Sequence, residues 1–306
     1  MSIEYRKATS DRMKKNKLVV SKLTSKMGFD ENMGKADWPK IRRILNFSYQ
    51  LVPKEKGIKF SKIETETAKM FLSESENSSK ENIILYIHGG GFVSGAAEAS
   101  KGYTYSLAKC SNNPVYAVEY ALAPEDPFPK GFNDCVNAFD ELSTMYPDAK
   151  ITLAGESAGA NLCLAVALKR KETGKIACVI VHSPIVDFTG AMDRKGYMID
   201  DFIIKKGCMG PLKEMYVVNN DVADPYISVI LGDYKDLPPV FITCDINETL
   251  YADAKALYKK CEEEHIKVRM IEMEGAFHAF AAIGISTPEA KDVLNDNVSF
   301  IKESLL

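Results

Sequence analysis

The chain has 306 residues, with 39 Lys and Arg against 42 Asp and Glu, and its formal net charge is −3. This balance excludes a dedicated nucleic-acid binder, because neutralising many phosphates needs a clear basic excess. The longest nearly apolar stretches, 162–168 and 279–285, reach about a third of the ~20 residues that span a bilayer, so we expect no membrane insertion.

Two amphipathic helices are predicted within the first fifty residues. The first is basic and ends at Gly28, and the second runs from about Ala36 to Leu51. Their apolar positions are Leu18, Val19, Leu23 and Met27 in the first helix and Ile41, Ile44, Leu45 and Tyr49 in the second. A basic amphipathic helix can lie on a membrane surface, but here we interpret its apolar face as a lid packed on the body of the protein.

The pattern after Pro53 alternates between strands and helices. A hairpin or meander is predicted over 58–63 and 68–72, and five short apolar runs follow at 83–87, 114–120, 151–154, 177–182 and 239–244. Helices are predicted at about 101–112, 131–146, 158–172, 251–264 and 288–304. Strands that alternate with helices and are apolar on both faces indicate an α/β fold with a mostly parallel sheet covered on both sides.

One interval, residues 188–220, interrupts this alternation. It holds two helix-like pieces between consecutive sheet strands. An excursion of this length inside an α/β domain is usually a lid or a binding insertion rather than a bare loop.

A G-x-S-x-G motif follows the strand at 151–154. It reads Gly155-Glu156-Ser157-Ala158-Gly159 and is followed at once by a predicted helix. Glycines on both sides of a serine allow the sharp turn that holds its hydroxyl out at the edge of a sheet, above a helix N-terminus. The context therefore predicts Ser157 as a nucleophile.

A glycine-rich segment, His88-Gly89-Gly90-Gly91-Phe92, follows the strand at 83–87. Consecutive glycines leave backbone N–H groups unshielded, so that these groups can point at a developing oxyanion. Together with the N–H of Ala158, this loop would complete an oxyanion hole of three donors.

A serine nucleophile needs a base, normally histidine, and the chain has four. His88 belongs to the glycine loop, His182 ends a strand just after the serine, and His265 lies at the end of an acidic helix. His278 follows the strand-like segment 268–273 near the C-terminus, which is where the chain order serine, acid, histidine places the base.

The acid of such a triad is expected after the strand at 239–244. Asp245, Glu248 and Asp253 are the candidates. Asp245 stands immediately at the strand end, and Asp253 falls in the following helix at a position more often capping or solvated. We predict Glu248, at the apex of the loop, with Asp245 as the second choice.

From about Ile83 to its end, the chain resembles the hormone-sensitive-lipase-like esterases of the α/β-hydrolase superfamily. The resemblance rests on motifs at 88–92, 155–159, 121–129, 224–228, 237–239 and 247–253. It implies a catalytic triad formed by Ser157, Glu248 and His278. It implies, in addition, an oxyanion hole whose donors are Gly90, Gly91 and Ala158. It also implies two parts of the chain, an N-terminal helical segment (1–52) and a catalytic domain (53–306). The N-terminal segment and an insertion in the catalytic domain, at about 188–220, would together form a cap.

The chain departs from the pattern of the family at three places. Ala121 stands where members usually carry Arg, which puts a structural ion pair in doubt. Glu156 precedes the serine where Asp is usual. The acid loop reads Asn247-Glu248-Thr249 where many members have Asp-Pro-Leu, so the acid is the least secure member of the triad.

The predicted activity is hydrolysis of carboxylic esters through an acyl-enzyme. The insertion mixes Met192, Met198 and Phe202 with Asp200, Asp201 and Lys205 and shows no long apolar stripe, so we expect acyl groups from acetyl to about hexanoyl. A carbohydrate acetyl esterase is a special case, and an amidase or lactonase could use the same triad. A ligand receptor that resembles the plant gibberellin receptors is disfavoured because His278 is present.

No cofactor or metal is expected, because the four histidines show no clustered ligand spacing. A small-molecule ester is the expected partner, and a homodimer is left open. Seven scattered cysteines without a C-x-x-C pair, and an N-terminus without an apolar signal segment, predict a cytoplasmic protein with free thiols.

Overall fold

A computed structural model of the protein describes residues 1–24, 30–50, 52–194, 201–205 and 207–306. Nine strands form one sheet: β1 Ser2–Lys7, β2 Ile58–Glu64, β3 Lys69–Ser75, β4 Asn82–Ile87, β5 Val115–Val118, β6 Lys150–Glu156, β7 Ile176–His182, β8 Val240–Asp245 and β9 Val268–Glu274. The α-helices of the described residues are α1 Asp11–Thr24, α2 Trp38–Gln50, α3 Lys101–Ser111, α4 Lys130–Met145, α5 Ala158–Arg170, α6 Met209–Tyr216, α7 Tyr251–Glu263 and α8 Pro288–Ser304.

The sheet has the order β1-β9-β8-β7-β6-β4-β5-β3-β2. Its strands are parallel from β1 to β5, whereas β3 and β2 form an antiparallel hairpin at one edge. Both faces are buried: along β4, Ile83 and Ile87 belong to one apolar core, and Ile84 and Tyr86 belong to the other. The predicted α/β architecture is confirmed, because burial on both faces is what the doubly apolar runs require.

The first strand was not predicted. β1 pairs in parallel with β9, from Ser2 opposite Arg269 to Lys7 opposite Glu274. Its residues are mostly exposed and largely polar, so neither an apolar run nor a buried face marks the strand in the sequence. Pairing with a strand more than 260 residues away makes it part of the sheet. The N-terminal segment is therefore helical only after its first residues.

The first helix also differs from the prediction. α1 turns Met13 and Val20 toward the protein, whereas Leu18 and Val19 are 55% and 54% exposed. The expectation that Leu18, Val19 and Leu23 pack on the body as a lid is therefore wrong. Met27, the predicted helix end at Gly28, the side chain of Tyr49 and Leu51 lie outside the described residues.

An ion pair that was not predicted holds α2 against the rest of the molecule. Arg42 donates to both carboxylate oxygens of Glu125 at 3.0 and 2.6 Å, and to the carbonyl oxygens of Val93 and Ala123. Ala121, where the resemblance leads one to expect Arg, donates its N–H to Asp134 at 2.9 Å. Arg42 of α2 thus holds the segment that follows the glycine loop in place.

The predicted insertion contains α6, and part of its other helix-like piece, including Met198 and Asp200, lies outside the described residues. Arg194 ties the insertion to α7 by donating two hydrogen bonds of 2.6 Å to Asp253. Within the ranges given above, no helix is both long and apolar enough to cross a bilayer.

Candidate active site

Ser157 lies in a tight turn between β6 and α5. Its backbone has φ 55° and ψ −118°, a conformation that residues other than glycine rarely adopt. The turn is held because the Ser157 N–H donates to the carbonyl of His182 at 2.8 Å. Gly159 packs so closely on the end of β4 that an added Cβ would overlap the carbonyl oxygens of Ile87 and His88. The turn predicted from the G-x-S-x-G motif is confirmed.

The glycine loop after β4 lies beside this turn. Gly90 has φ 113° and Gly91 has φ 63°, and both line a cavity together with Ser157 and Ala158. The structure thus brings the three residues expected to supply oxyanion donors to the same cavity as the expected nucleophile.

Glu156 joins the two segments. One of its carboxylate oxygens accepts the N–H of Gly89 at 2.7 Å, and the other accepts the hydroxyl of Tyr86 at 2.6 Å. Burial raises the pKa of Glu156 to about 7, although these hydrogen bonds oppose the rise. Glu156, which stands where the resemblance leads one to expect Asp, therefore fixes the position of the glycine loop.

His278 lines the same cavity from the loop after β9. Its Nδ1 lies 3.5 Å from Oε1 of Glu248, which is long for a hydrogen bond but within ion-pair distance. Burial has the largest single effect on the pKa of His278 and lowers it, but the charge and hydrogen bonding of Glu248, together with the charges of Asp201 and Glu156, raise the pKa by more, so the net shift is upward. Burial raises the pKa of Glu248, and His278 offsets part of that shift.

Ser183, which the sequence analysis did not single out, holds this pair in place. Its hydroxyl donates to Oε2 of Glu248 at 2.9 Å and accepts the N–H of Ala279 at 2.9 Å. It therefore bridges the acid loop and the residue after His278. A signal was available: Ser183 directly follows β7, at the carboxyl edge where parallel sheets place their sites.

The other two candidate acids serve different partners. Asp245 accepts the N–H of Asn247 at 2.9 Å and that of Ala276 at 2.6 Å, so it shapes the loops that carry Glu248 and His278. Asp253 is fully buried against Arg194 and also accepts the N–H of Val186 at 2.9 Å. The expectation that Asp253 is capping or solvated is wrong.

The remaining histidines lie in other environments. His88 is buried, its Nδ1 lies 2.8 Å from the carbonyl of Gly89, and burial lowers its pKa to about 4. His182 is buried beside Tyr103 and Asn297, and burial lowers its pKa to about 3. His265 is exposed, as expected.

The cavity has a volume of about 150 Å³. Apart from the groups named above, its wall is mostly aliphatic and aromatic, with Ile185, Ile203, Ile204, Leu212, Leu250 and Phe277 among the lining residues. The insertion contributes directly to this wall. Asp201 holds the insertion on the acid loop by accepting the N–H of Thr249 at 2.9 Å.

In the part of the chain that the structure describes, no three His, Cys, Asp or Glu side chains converge as metal ligands would. All seven cysteines are free, and only Cys110 is not fully buried.

The sequence of the chain is similar to those of known proteins. The family model described as alpha/beta hydrolase fold matches residues 84–282. The chain is 28% identical over 228 residues to a protein named "Esterase" from Acinetobacter venetianus, and this match covers 73% of this chain and 75% of that protein. It is 29% identical over 226 residues to an "Acetyl-hydrolase" from Streptomyces hygroscopicus, and this match covers 72% of this chain and 75% of that protein.

The fold is also similar to that of a solved structure. The crystal structure of a hormone-sensitive lipase from a metagenome library superposes with a TM-score of 0.85 and 26% sequence identity. The match covers 97% of this chain and all of that one.

Substituting Gly159 tests how tightly the turn is packed. We expect Gly159→Ala to destabilise the protein by about 3 kcal/mol or more, because the new methyl group must displace the end of β4. Gly210→Ala is the matched control, since a methyl group at Gly210 meets no atom within 4 Å. Urea unfolding of both variants makes the comparison, and equal stabilities would show that the turn tolerates expansion.

Proposed function

Because the chain belongs to the α/β-hydrolase fold family, whose model it matches over residues 84–282, we propose that it is a serine esterase with the triad Ser157, His278 and Glu248. One observation carries the proposal: Ser157, His278 and the glycine loop line a single apolar cavity, and Glu248 lies behind the imidazole. The expected resemblance to hormone-sensitive-lipase-like esterases is confirmed by the family match and by the superposition.

The proposed reaction follows from this arrangement. The Ser157 hydroxyl attacks the ester carbonyl, and His278 accepts its proton through Nε2 and returns it to the departing alcohol. Glu248 keeps the Nδ1 proton of His278 in place and stabilises the imidazolium. The N–H groups of Gly90, Gly91 and Ala158 would stabilise the tetrahedral oxyanion, where one donor contributes about 3 kcal/mol. Water, activated by His278, then releases the acid.

Short acyl groups fit the site best. The cavity of about 150 Å³ is smaller than the 300–1,000 Å³ typical of drug-sized ligands, so it favours acetyl to about hexanoyl chains. An acetyl group would also agree with the name of the Streptomyces relative.

An uncharged ester suits a wall with few charged groups, and the mechanism uses no cofactor or metal. We propose the cytoplasm as its location, since seven free thiols suit a reducing compartment.

The nucleophile is tested with Ser157→Ala. We expect at least a 10³-fold loss of kcat on p-nitrophenyl acetate and a complete loss of labelling by a fluorophosphonate, because no other residue would form the acyl-enzyme. Wild-type protein that neither hydrolyses short esters nor reacts with the probe would favour the receptor interpretation instead. Unchanged activity of the variant would exclude Ser157 as nucleophile.

The acid is tested by comparing Glu248→Gln with Asp245→Asn and Asp253→Asn. We expect kcat to fall about 10³- to 10⁴-fold only in the first variant. The pH profile gives a second readout. Neutral His278 is the active form, and loss of the Glu248 charge lowers the pKa of His278, so the acid limb of kcat/KM should move to lower pH.

Asp245→Asn and Asp253→Asn should leave the acid limb in place, since the main charges that raise the pKa of His278 are those of Glu248, Asp201 and Glu156. Asp253→Asn should instead reduce stability, because Arg194 would lose a buried counter-charge. A greater loss of kcat at Asp245 would move the assignment to that residue.

The acyl range is tested with p-nitrophenyl esters from acetate to palmitate. We expect kcat/KM to be highest between acetate and hexanoate and to fall beyond, as longer chains exceed the volume of the cavity. The widening variant Leu212→Ala should shift the maximum toward longer chains, whereas Leu231→Ala, at an exposed position outside the cavity wall, should not. A wild-type maximum at palmitate would exclude the short-chain assignment.

A further inference from the structure

The outer face of α1 combines cations with exposed apolar side chains. Leu18, Val19 and Leu23 are 55%, 54% and 39% exposed. The cations on the same exposed side are Arg12, Lys14, Lys15 and Lys22. Scattered exposed apolar residues are normal, but three within six residues of one helix form a patch.

The charge of this helix is opposite to that of the whole molecule. α1 carries five cationic side chains and a single acidic one, Asp11, which pairs with Lys14 at 3.3 Å. The chain as a whole has a formal charge of −3. The excess of cations on α1 is therefore a local feature, and it favours a partner that is negatively charged.

The second helix repeats the pattern. On α2, Phe47 and Ile44 are 65% and 41% exposed, and the exposed cations Lys40 and Arg43 lie on the same helix. Each of two consecutive helices thus exposes apolar and cationic side chains, although the protein as a whole is acidic.

These helices also border the candidate active site. Val20 of α1 and Val52, which lies two residues beyond α2, line the cavity that contains Ser157. α1 therefore has two distinct faces: its inner face contributes Val20 to the wall of the cavity, and its outer face carries the apolar and cationic patch.

We propose that the outer faces of α1 and α2 adsorb to an anionic lipid–water interface. Lysine and arginine side chains attract the negative surface of a bilayer, while Leu18, Val19 and Phe47 enter the boundary between headgroups and acyl chains. No segment needs to span the bilayer for this mode of binding. A neutral apolar partner would fit the leucine and valine side chains but would gain no attraction from the excess of cations on these helices.

Vesicle co-sedimentation of the full chain tests the proposal independently of any catalytic activity. We expect binding to vesicles of phosphatidylcholine and phosphatidylglycerol in equal amounts, little binding to pure phosphatidylcholine, and release in 0.5 M NaCl because salt screens the attraction. Binding that is equal on both vesicle types, or absent from both, would overturn the proposal.

Two pairs of variants locate the surface. Lys14→Glu with Lys15→Glu should weaken binding at least tenfold. The control, Lys169→Glu with Lys259→Glu, changes the net charge equally at exposed helical lysines elsewhere and should bind like wild type. Leu18→Ser with Val19→Ser should also weaken binding. Val218→Ser with Leu231→Ser is its control, since those side chains are 51% and 53% exposed.

All four variants are expected to keep the wild-type unfolding temperature, which ensures that a change in binding reflects the surface. Wild-type binding by both α1 variants would exclude this face. Light scattering without vesicles tests whether a second copy of the chain covers this face instead. If the wild-type protein is a dimer and the variant Leu18→Ser with Val19→Ser is a monomer, the partner is a second copy and the proposal is overturned.

Discussion

The close approach of the Ser157 turn to the end of β4 is the constraint on which the rest of the site depends. Because Gly159 has no side chain, the first turn of α5 can rest on the carbonyl oxygens of Ile87 and His88. That contact places Ser157 beside the loop that follows β4, and the N–H bond to His182 fixes the same turn on β7. Three neighbouring strand ends are thereby joined, and the strained conformation of Ser157 is held by its surroundings.

Among the buried carboxylates near this edge of the sheet, four have different partners. Glu156 holds the glycine loop, Asp245 holds the loops around β8 and β9, and Asp253 neutralises Arg194. Burying a carboxylate is unfavourable unless hydrogen bonds or a cation compensate it, so these three are committed to structural contacts. Glu248 is the one of the four that lies within ion-pair distance of His278, and this division of contacts supports the proposal that it is the triad acid.

The N-terminal helices link the site to the surface of the molecule. Arg42 anchors α2 beside the glycine loop, and Val20 brings α1 into the wall of the cavity. The same helices expose Leu18 and Phe47 among cations. One side of α1 lines the small apolar cavity, and we propose that its other side attracts anionic lipid. Adsorption through that side would bring the cavity close to esters dissolved in the membrane or bound to it.

The sequence by itself determined the alternating α/β pattern, the turn at Ser157 and the placement of His278, because local periodicity, glycine spacing and chain order are properties of short segments. It could not reveal β1, whose polar residues become a strand only by pairing with β9. Nor could it show that Leu18 faces outward, that Arg194 neutralises Asp253, or that Ser183 bridges Glu248 and the loop of His278. Only the tertiary structure decided these points, because each depends on contacts between residues far apart in the chain.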